Sequence, residues 1–188
     1  MAITVRSMDV QSAPVLYTTA SGSIAESGRP AGAMNGSARI VFDPSRGWRK
    51  EICAYHAAAV TAGRAYIMTP GDPAVDPYQM VTAVVPEVSA TAVGGCMIGV
   101  PQESVSGSGQ AWFTTAGFCE VMGNATIPVG SSLEVIANTS AFTDQGGEHD
   151  TAGEITTAVV GYAIDDISGT GVLGTAFLLG RNHTTAAS

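Results

Sequence analysis

The sequence is poor in charge, and it is especially poor in basic residues. Charged side chains make up 13% of the 188 residues, with eight lysines and arginines against sixteen aspartates and glutamates, for a net charge of −8. Nucleic-acid backbones are bound chiefly through lysine and arginine, so this balance argues against DNA or RNA as a partner. So little charge also predicts a largely neutral surface, which is less costly to desolvate against another protein.

Cysteine is scarce, and long apolar runs are missing. Cys53, Cys96 and Cys119 are widely spaced and form no C-x-x-C pair, a pattern that predicts small buried side chains rather than a disulfide framework or a zinc site. No apolar run approaches the length of a membrane span, and residues 1–15 lack the apolar core of a signal peptide. We therefore expect a protein made in a reducing cytoplasm, with no membrane partner.

Catalytic motifs are missing as well, apart from matches that lack their context. GTGVLG (169–174) has the spacing of a dinucleotide loop, but strand-like residues follow it where a helix is required. The acidic segment 144–154 could offer oxygen ligands to a divalent cation, yet it lacks the EF-hand spacing. A hydrolase that pairs His56 with the distant Asp72 or Asp76 is one alternative. We predict no catalytic, cofactor-binding or metal-binding residues and no enzymatic activity.

What the sequence does contain is a series of short β-prone runs from Met80 onward. Glycine, proline or polar clusters separate nearly all of them, without helical periodicity between them. This spacing predicts an antiparallel barrel or sandwich. Within residues 109–135 we expect strands at 111–115 and 118–122 joined by a turn at Ala116 and Gly117. The expected core side chains there are Trp112, Phe118 and Leu133.

The first part of the chain is less regular. Residues 1–50 are rich in glycine, serine, proline and alanine, which predicts an extended N-terminal arm ahead of a domain at 51–188. Segment 51–68 is compatible with a short helix ending at Gly63 or with two strands, and we favour strands. The predicted fold is therefore a single all-β domain, an antiparallel barrel or sandwich, with an extended N-terminal arm.

Between residues 80 and 180, several short patterns occur in a characteristic order. They are Gly99–Val100–Pro101, Trp112–Phe113, Gly117, Val129–Gly130–Ser131 and Val160–Gly161–Tyr162–Ala163. In this order the chain resembles the decoration, or cement, proteins of tailed-phage heads. The resemblance implies a compact β protein that binds the outer capsid surface in the virion, after synthesis in the bacterial cytoplasm. It also implies the major capsid protein as partner, and self-association, often as a trimer.

Candidate contact residues lie in the basic part of the N-terminal region. We expect Arg29, Arg46, Trp48 and Arg49 to contact a neighbouring decoration or capsid subunit, because an acidic protein surface would complement the three arginines. The alternative function is a carbohydrate- or receptor-binding module of a phage fibre or tail, which exposed aromatic side chains clustered in one groove would favour. A major shell subunit is disfavoured, since such chains usually carry a long helix.

Overall fold

The computed structural model describes residues 7–8, 36–70, 81–84, 96–136, 140–144, 159–180 and 182–183. These ranges form strands, turns and bends, and they contain no α-helix, so none of them offers a helix that could span a membrane. The prediction of an all-β fold is confirmed.

The strands within these ranges are short, with two exceptions, β3 and β7. In chain order they are β1 Ser7–Met8, β2 Ala38–Asp43, β3 Gly47–His56, β4 Tyr66–Pro70, β5 Val81–Val84, β6 Cys96–Pro101, β7 Gly109–Met122, β8 Thr126–Ile127, β9 Ser132–Val135, β10 Phe142–Asp144, β11 Gly161–Ala163, β12 Ile167–Ser168, β13 Leu173–Leu179 and β14 Asn182–His183. Segment 51–68 therefore forms strands, as favoured above, and Gly63 lies in the turn between them with a φ of +76°.

Most of the strands belong to one curled sheet. Its order is β1-β2-β3-β5-β4-β6-β7-β13-β11-β9-β10, with β14 beside β6, while β8 and β12 form a separate pair. The pairing of β3 with β5 is parallel, and the other pairings between these strands are antiparallel. β3 also pairs with β7, so the sheet folds back on itself, while β1 and β10 stand at its ends. The architecture is sandwich-like.

Two apolar clusters occupy opposite faces of the central strands. The larger one includes Ile98, Val121, Leu133 and Phe142, and the smaller one surrounds Phe113. β4 shows why both exist. Its successive side chains point to opposite faces, so Ile67 enters the larger cluster while its neighbours Tyr66 and Met68 enter the smaller. A strand that is buried on both faces reads as a continuous apolar run, as Tyr66–Met68 does.

The turn predicted at Ala116 and Gly117 is wrong, because β7 runs through both residues. Ala116 pairs with Lys50 of β3 along one edge and with Leu179 of β13 along the other. The register with β3 shifts here and leaves Thr115 opposite no residue of β3, which is a β-bulge. Gly117 has a φ of +87°, and a Cβ there would lie 2.2 Å from the carbonyl oxygen of Trp48. The glycine permits a close approach of two strands.

The three predicted core side chains differ in burial and in the residues they pack against. Leu133 is fully buried in the larger cluster, as expected. Trp112 is 6% exposed but packs against Cys53, apart from the two larger clusters. Phe118 is half-buried, with its ring centroid 5.0 Å from that of Phe177.

The sheet begins before the predicted boundary between residues 50 and 51. β2 pairs with β3 over its whole length, and β1 pairs with β2 at Val41 and Ile40. The reason is the sequence ARIVFD, in which a buried valine alternates with more exposed neighbours, as in a strand with one face toward the protein interior. Residues 9–35, including Arg29, lie outside the described residues, so for them the arm stays a prediction.

Replacing Gly117 by alanine is expected to destabilise the fold. The new Cβ must displace the backbone of β3 in addition to occupying a left-handed conformation, for a combined cost of roughly 3 kcal/mol or more. Gly130→Ala is the matched control, because its φ is +83° but nothing lies within 4 Å of the added Cβ. It should cost about 1 kcal/mol. Urea denaturation of the two variants measures the difference, and equal losses would contradict the close approach.

The buried thiols are expected to be unreactive in the folded protein. Burial raises the pKa of Cys53 and of Cys119 to about 12 in each case. Because the thiolate is the nucleophile, alkylation by iodoacetamide at pH 8 should spare both residues in the folded protein and modify both in urea. Peptide mass spectrometry locates the modified residues, and rapid alkylation of either thiol without denaturant would contradict their burial.

Candidate protein-interaction surface

Strands β2 and β3 form a hairpin with a well-defined turn. The hydroxyl and the amide of Ser45 donate to Oδ1 of Asp43 at 2.6 and 2.9 Å. Burial alone would raise the pKa of Asp43, but these hydrogen bonds and the charges of Arg46 and Arg49 outweigh it and hold the pKa below its ordinary value. Gly47, with a φ of +105°, ends the turn in a conformation that favours glycine. The turn fixes the register of the hairpin.

One side of this hairpin is apolar and exposed. Phe42 stands opposite Trp48, with ring centroids 4.6 Å apart, and Ile40 stands opposite Lys50. Trp48 is 51% exposed, and the other two apolar side chains are exposed by more than a third. Directly opposed residues share a side of the sheet, as do residues two apart in one strand. We call Ile40, Phe42, Trp48 and Lys50 the hairpin patch.

The opposite side of the hairpin carries a buried ion-pair cluster. Glu51 is 2% exposed and accepts hydrogen bonds from Nε of Arg39 and, at 2.7 Å, from Nε of Arg49. Arg49 also lies 3.7 Å from Asp43, and the Arg39 guanidinium lies 4.1 Å from the ring centroid of Trp112. A buried carboxylate requires such partners. The cluster therefore joins β2 to β3 and holds the hairpin patch outward.

The predicted contact residues differ in their exposure and in their partners. Trp48 is exposed as a contact residue would be. Arg49 belongs to the buried cluster, and Arg46 pairs with Glu120 at 2.6 Å, with both side chains about one third exposed. Arg29 lies outside the described residues. The structure thus brings three of the four residues onto one hairpin, but it directs both described guanidinium groups toward carboxylates of the same chain.

Sequence reasoning missed Ile40 and Phe42. Their signal was present in ARIVFD, where two large apolar residues two positions apart belong to one side of a strand. Arg39 was missed too, because only the folded chain brings its side chain to Glu51, twelve positions away.

A second exposed apolar group lies around β11. Val129, Tyr162 and Ile164 are 61%, 42% and 40% exposed. Their segments are adjacent, because the amide of Gly130 donates to the carbonyl of Ala163 at 2.8 Å. Exposed carboxylates of Asp165 and Asp166 border the group, and Asp166 accepts from the amide of Val129 at 2.7 Å. We call Val129, Tyr162, Ile164 and Asp165 the β11 patch.

The residues considered above for catalysis or metal binding have structural positions in the part of the chain that is described. His56 is 1% exposed, and its Nδ1 lies 2.8 Å from the carbonyl oxygen of Ala58, while Asp72 and Asp76 lie outside the described residues. GTGVLG covers the turn between β12 and β13 and the first two residues of β13. In the part of the chain that the structure describes, no three His, Cys, Asp or Glu side chains group as metal ligands would. Of the acidic segment, only Asp144 is described.

Comparisons with known proteins give a distant structural likeness. No family model matches the chain, and no curated protein sequence is significantly similar to it. Among solved structures, the chain is similar to the N base of the head fibre gp8.5 of bacteriophage phi29, at 16% identity and a TM-score of 0.46. The match covers 70% of this chain and 95% of that one.

The buried cluster around Glu51 and the more exposed pair of Arg46 with Glu120 are expected to differ in their contribution to stability. Glu51→Gln leaves two arginines without their buried carboxylate and should cost roughly 3–5 kcal/mol. Glu120→Gln is the matched control, because its pair with Arg46 is about one third exposed and should cost about 1 kcal/mol or less. Urea denaturation compares the variants, and a Glu51→Gln variant as stable as the control would refute the structural role of the cluster.

Proposed function

We propose that this chain is a non-enzymatic structural protein of a tailed-phage head that binds the outer capsid surface and stabilises junctions between major capsid subunits. The observation that carries the proposal is the hairpin patch, an exposed group of apolar side chains on an all-β domain. Contiguous apolar groups of this kind mark protein contacts more often than isolated apolar side chains do. The order of motifs in residues 80–180, which resembles decoration proteins, supports the same conclusion.

Burial of the hairpin patch in a protein contact contributes a modest free energy for each copy and a large one when summed over a shell. At 51% exposure, Trp48 leaves roughly 100 Å² of side chain open to burial. Removing this area from water contributes about 2.5 kcal/mol. Because the protein would bind repeatedly over the capsid, and would bind the assembled geometry alone, these contributions stabilise the shell by mass action. The neutral, weakly charged surface keeps the cost of desolvation low.

We further propose that the protein acts as a homo-oligomer of three copies. Closed symmetry is the usual solution for homo-oligomers, and an icosahedral shell offers three-fold and quasi-three-fold positions. In this proposal no residue has a catalytic role. The burial of His56 against Phe113 supports that part of it, since a general base must reach its substrate.

A second candidate is a carbohydrate- or receptor-binding module of a phage fibre or tail. The observation that favours it is the pair of adjacent rings, Phe42 and Trp48, on an exposed side of the hairpin. Aromatic rings of this kind offer an apolar face to a ligand. A glycan array distinguishes the candidates: binding of a defined glycan that Trp48→Ala abolishes would favour the module.

Deletion of residues 1–30 is expected to weaken binding to heads more than it lowers the melting temperature of the isolated protein. The deleted segment includes Arg29, a predicted contact residue, and the two-residue strand β1, whereas β2 and β3 remain paired with each other. Co-sedimentation with heads that lack the protein measures binding, and circular dichroism measures melting. Full-length protein that does not sediment with heads would refute the proposed function, while unchanged binding of the truncated protein would refute the contact by its N-terminal segment.

A further inference from the structure

The hairpin patch and the β11 patch lie on the same face of the sheet. Tyr162 stands opposite Phe177, and Phe177 stands opposite Phe118. Phe118 shares its side with Ala116, which stands opposite Lys50 of the hairpin patch. Four strand pairings separate β2 from β11, through β3, β7 and β13, so the patches lie roughly 19 Å apart across the sheet.

The two patches carry opposite charge. Lys50 is exposed beside Ile40, and it forms no ion pair with any other described residue. Asp165 is exposed and follows Ile164 in the bend that borders the other end of the face. In a chain with a net charge of −8, a locally basic apolar patch is complementary to the acidic apolar patch of an identical chain. Two hairpin patches that met each other would instead oppose Lys50 to Lys50.

The patches also match in kind and in number of apolar side chains. Each has three, and each includes an aromatic residue of the type that dominates binding at the centre of interfaces: Ile40, Phe42 and Trp48 on one side, Val129, Tyr162 and Ile164 on the other. A stable interface buries about 800 Å² per partner, so the patches would form its centre and neighbouring residues its rim.

We infer that the hairpin patch of one copy binds the β11 patch of a second copy of this chain. The contact is head to tail, with the Lys50 ammonium beside the Asp165 carboxylate and the rings of Trp48 and Phe42 against Tyr162. Each copy offers one patch of each kind, so the contact repeats from copy to copy, and a closed ring is the arrangement that leaves no patch unpaired. The inference rests on the proposed function and refines it: the hairpin patch is assigned to the contact between copies of this protein on the head, and the assembled copies together bridge the capsid subunits.

Charge reversal tests the contact in purified protein without heads, so a failure here is distinct from a failure to bind heads. Analytical ultracentrifugation over a range of concentrations measures the self-association of the wild type, Lys50→Glu, Asp165→Lys and the double variant. Each single reversal should raise the dissociation constant about tenfold or more, and the double variant should return to within about threefold of the wild type, because each junction then regains opposite charges. Arg64→Glu, an exposed reversal in neither patch, should change nothing.

Circular dichroism melting confirms that every variant is folded, and Trp48→Ala and Tyr162→Ala should each weaken the same association. A wild-type monomer at all concentrations would overturn the inference. So would single reversals that behave like Arg64→Glu, or a double variant whose defect is the sum of the two single defects.

Discussion

Strand β7 is the element on which the rest of the structure depends. It pairs with β3 along one edge and with β13 along the other, and at Ala116 and Gly117 it does both at once. The close approach of Gly117 to Trp48 lets the hairpin lie beside the second half of the strand. Without this double pairing, the two exposed patches would not share a face, and the smaller apolar cluster around Phe113 would lose one of its walls.

The hairpin shows how buried charge supports an exposed apolar surface. Large apolar side chains tend to turn inward, so a strand that exposes them needs something else to hold it. Here Glu51, buried between Arg39 and Arg49, ties β2 to β3 from the opposite side. Removing one partner from such a cluster leaves an uncompensated charge, so the cluster resists rearrangement. A rigid hairpin loses less conformational entropy when its exposed side binds a partner.

The all-β fold could be predicted from the sequence, because glycine, proline or polar clusters separate short β-prone runs from Met80 onward. The behaviour of Gly117 could not, since a bulge inside a strand depends on the backbone of a distant partner, and locally it has the same composition as a turn. The candidate surface likewise has one part that the sequence predicts and one part that depends on the folded chain. Trp48 was predicted to be a contact residue and is exposed, whereas Arg46 and Arg49 were predicted from their charge alone, and their partners Glu120 and Glu51 are set by the folded chain.

The central claim is that the protein functions by assembly on a phage head. Electron cryomicroscopy of particles made with and without the protein tests it most directly. The account predicts extra density at junctions between major capsid subunits, fitted by this fold, with the hairpin of one copy beside β11 of the next. Density confined to a fibre or tail, or identical particles in both preparations, would contradict it.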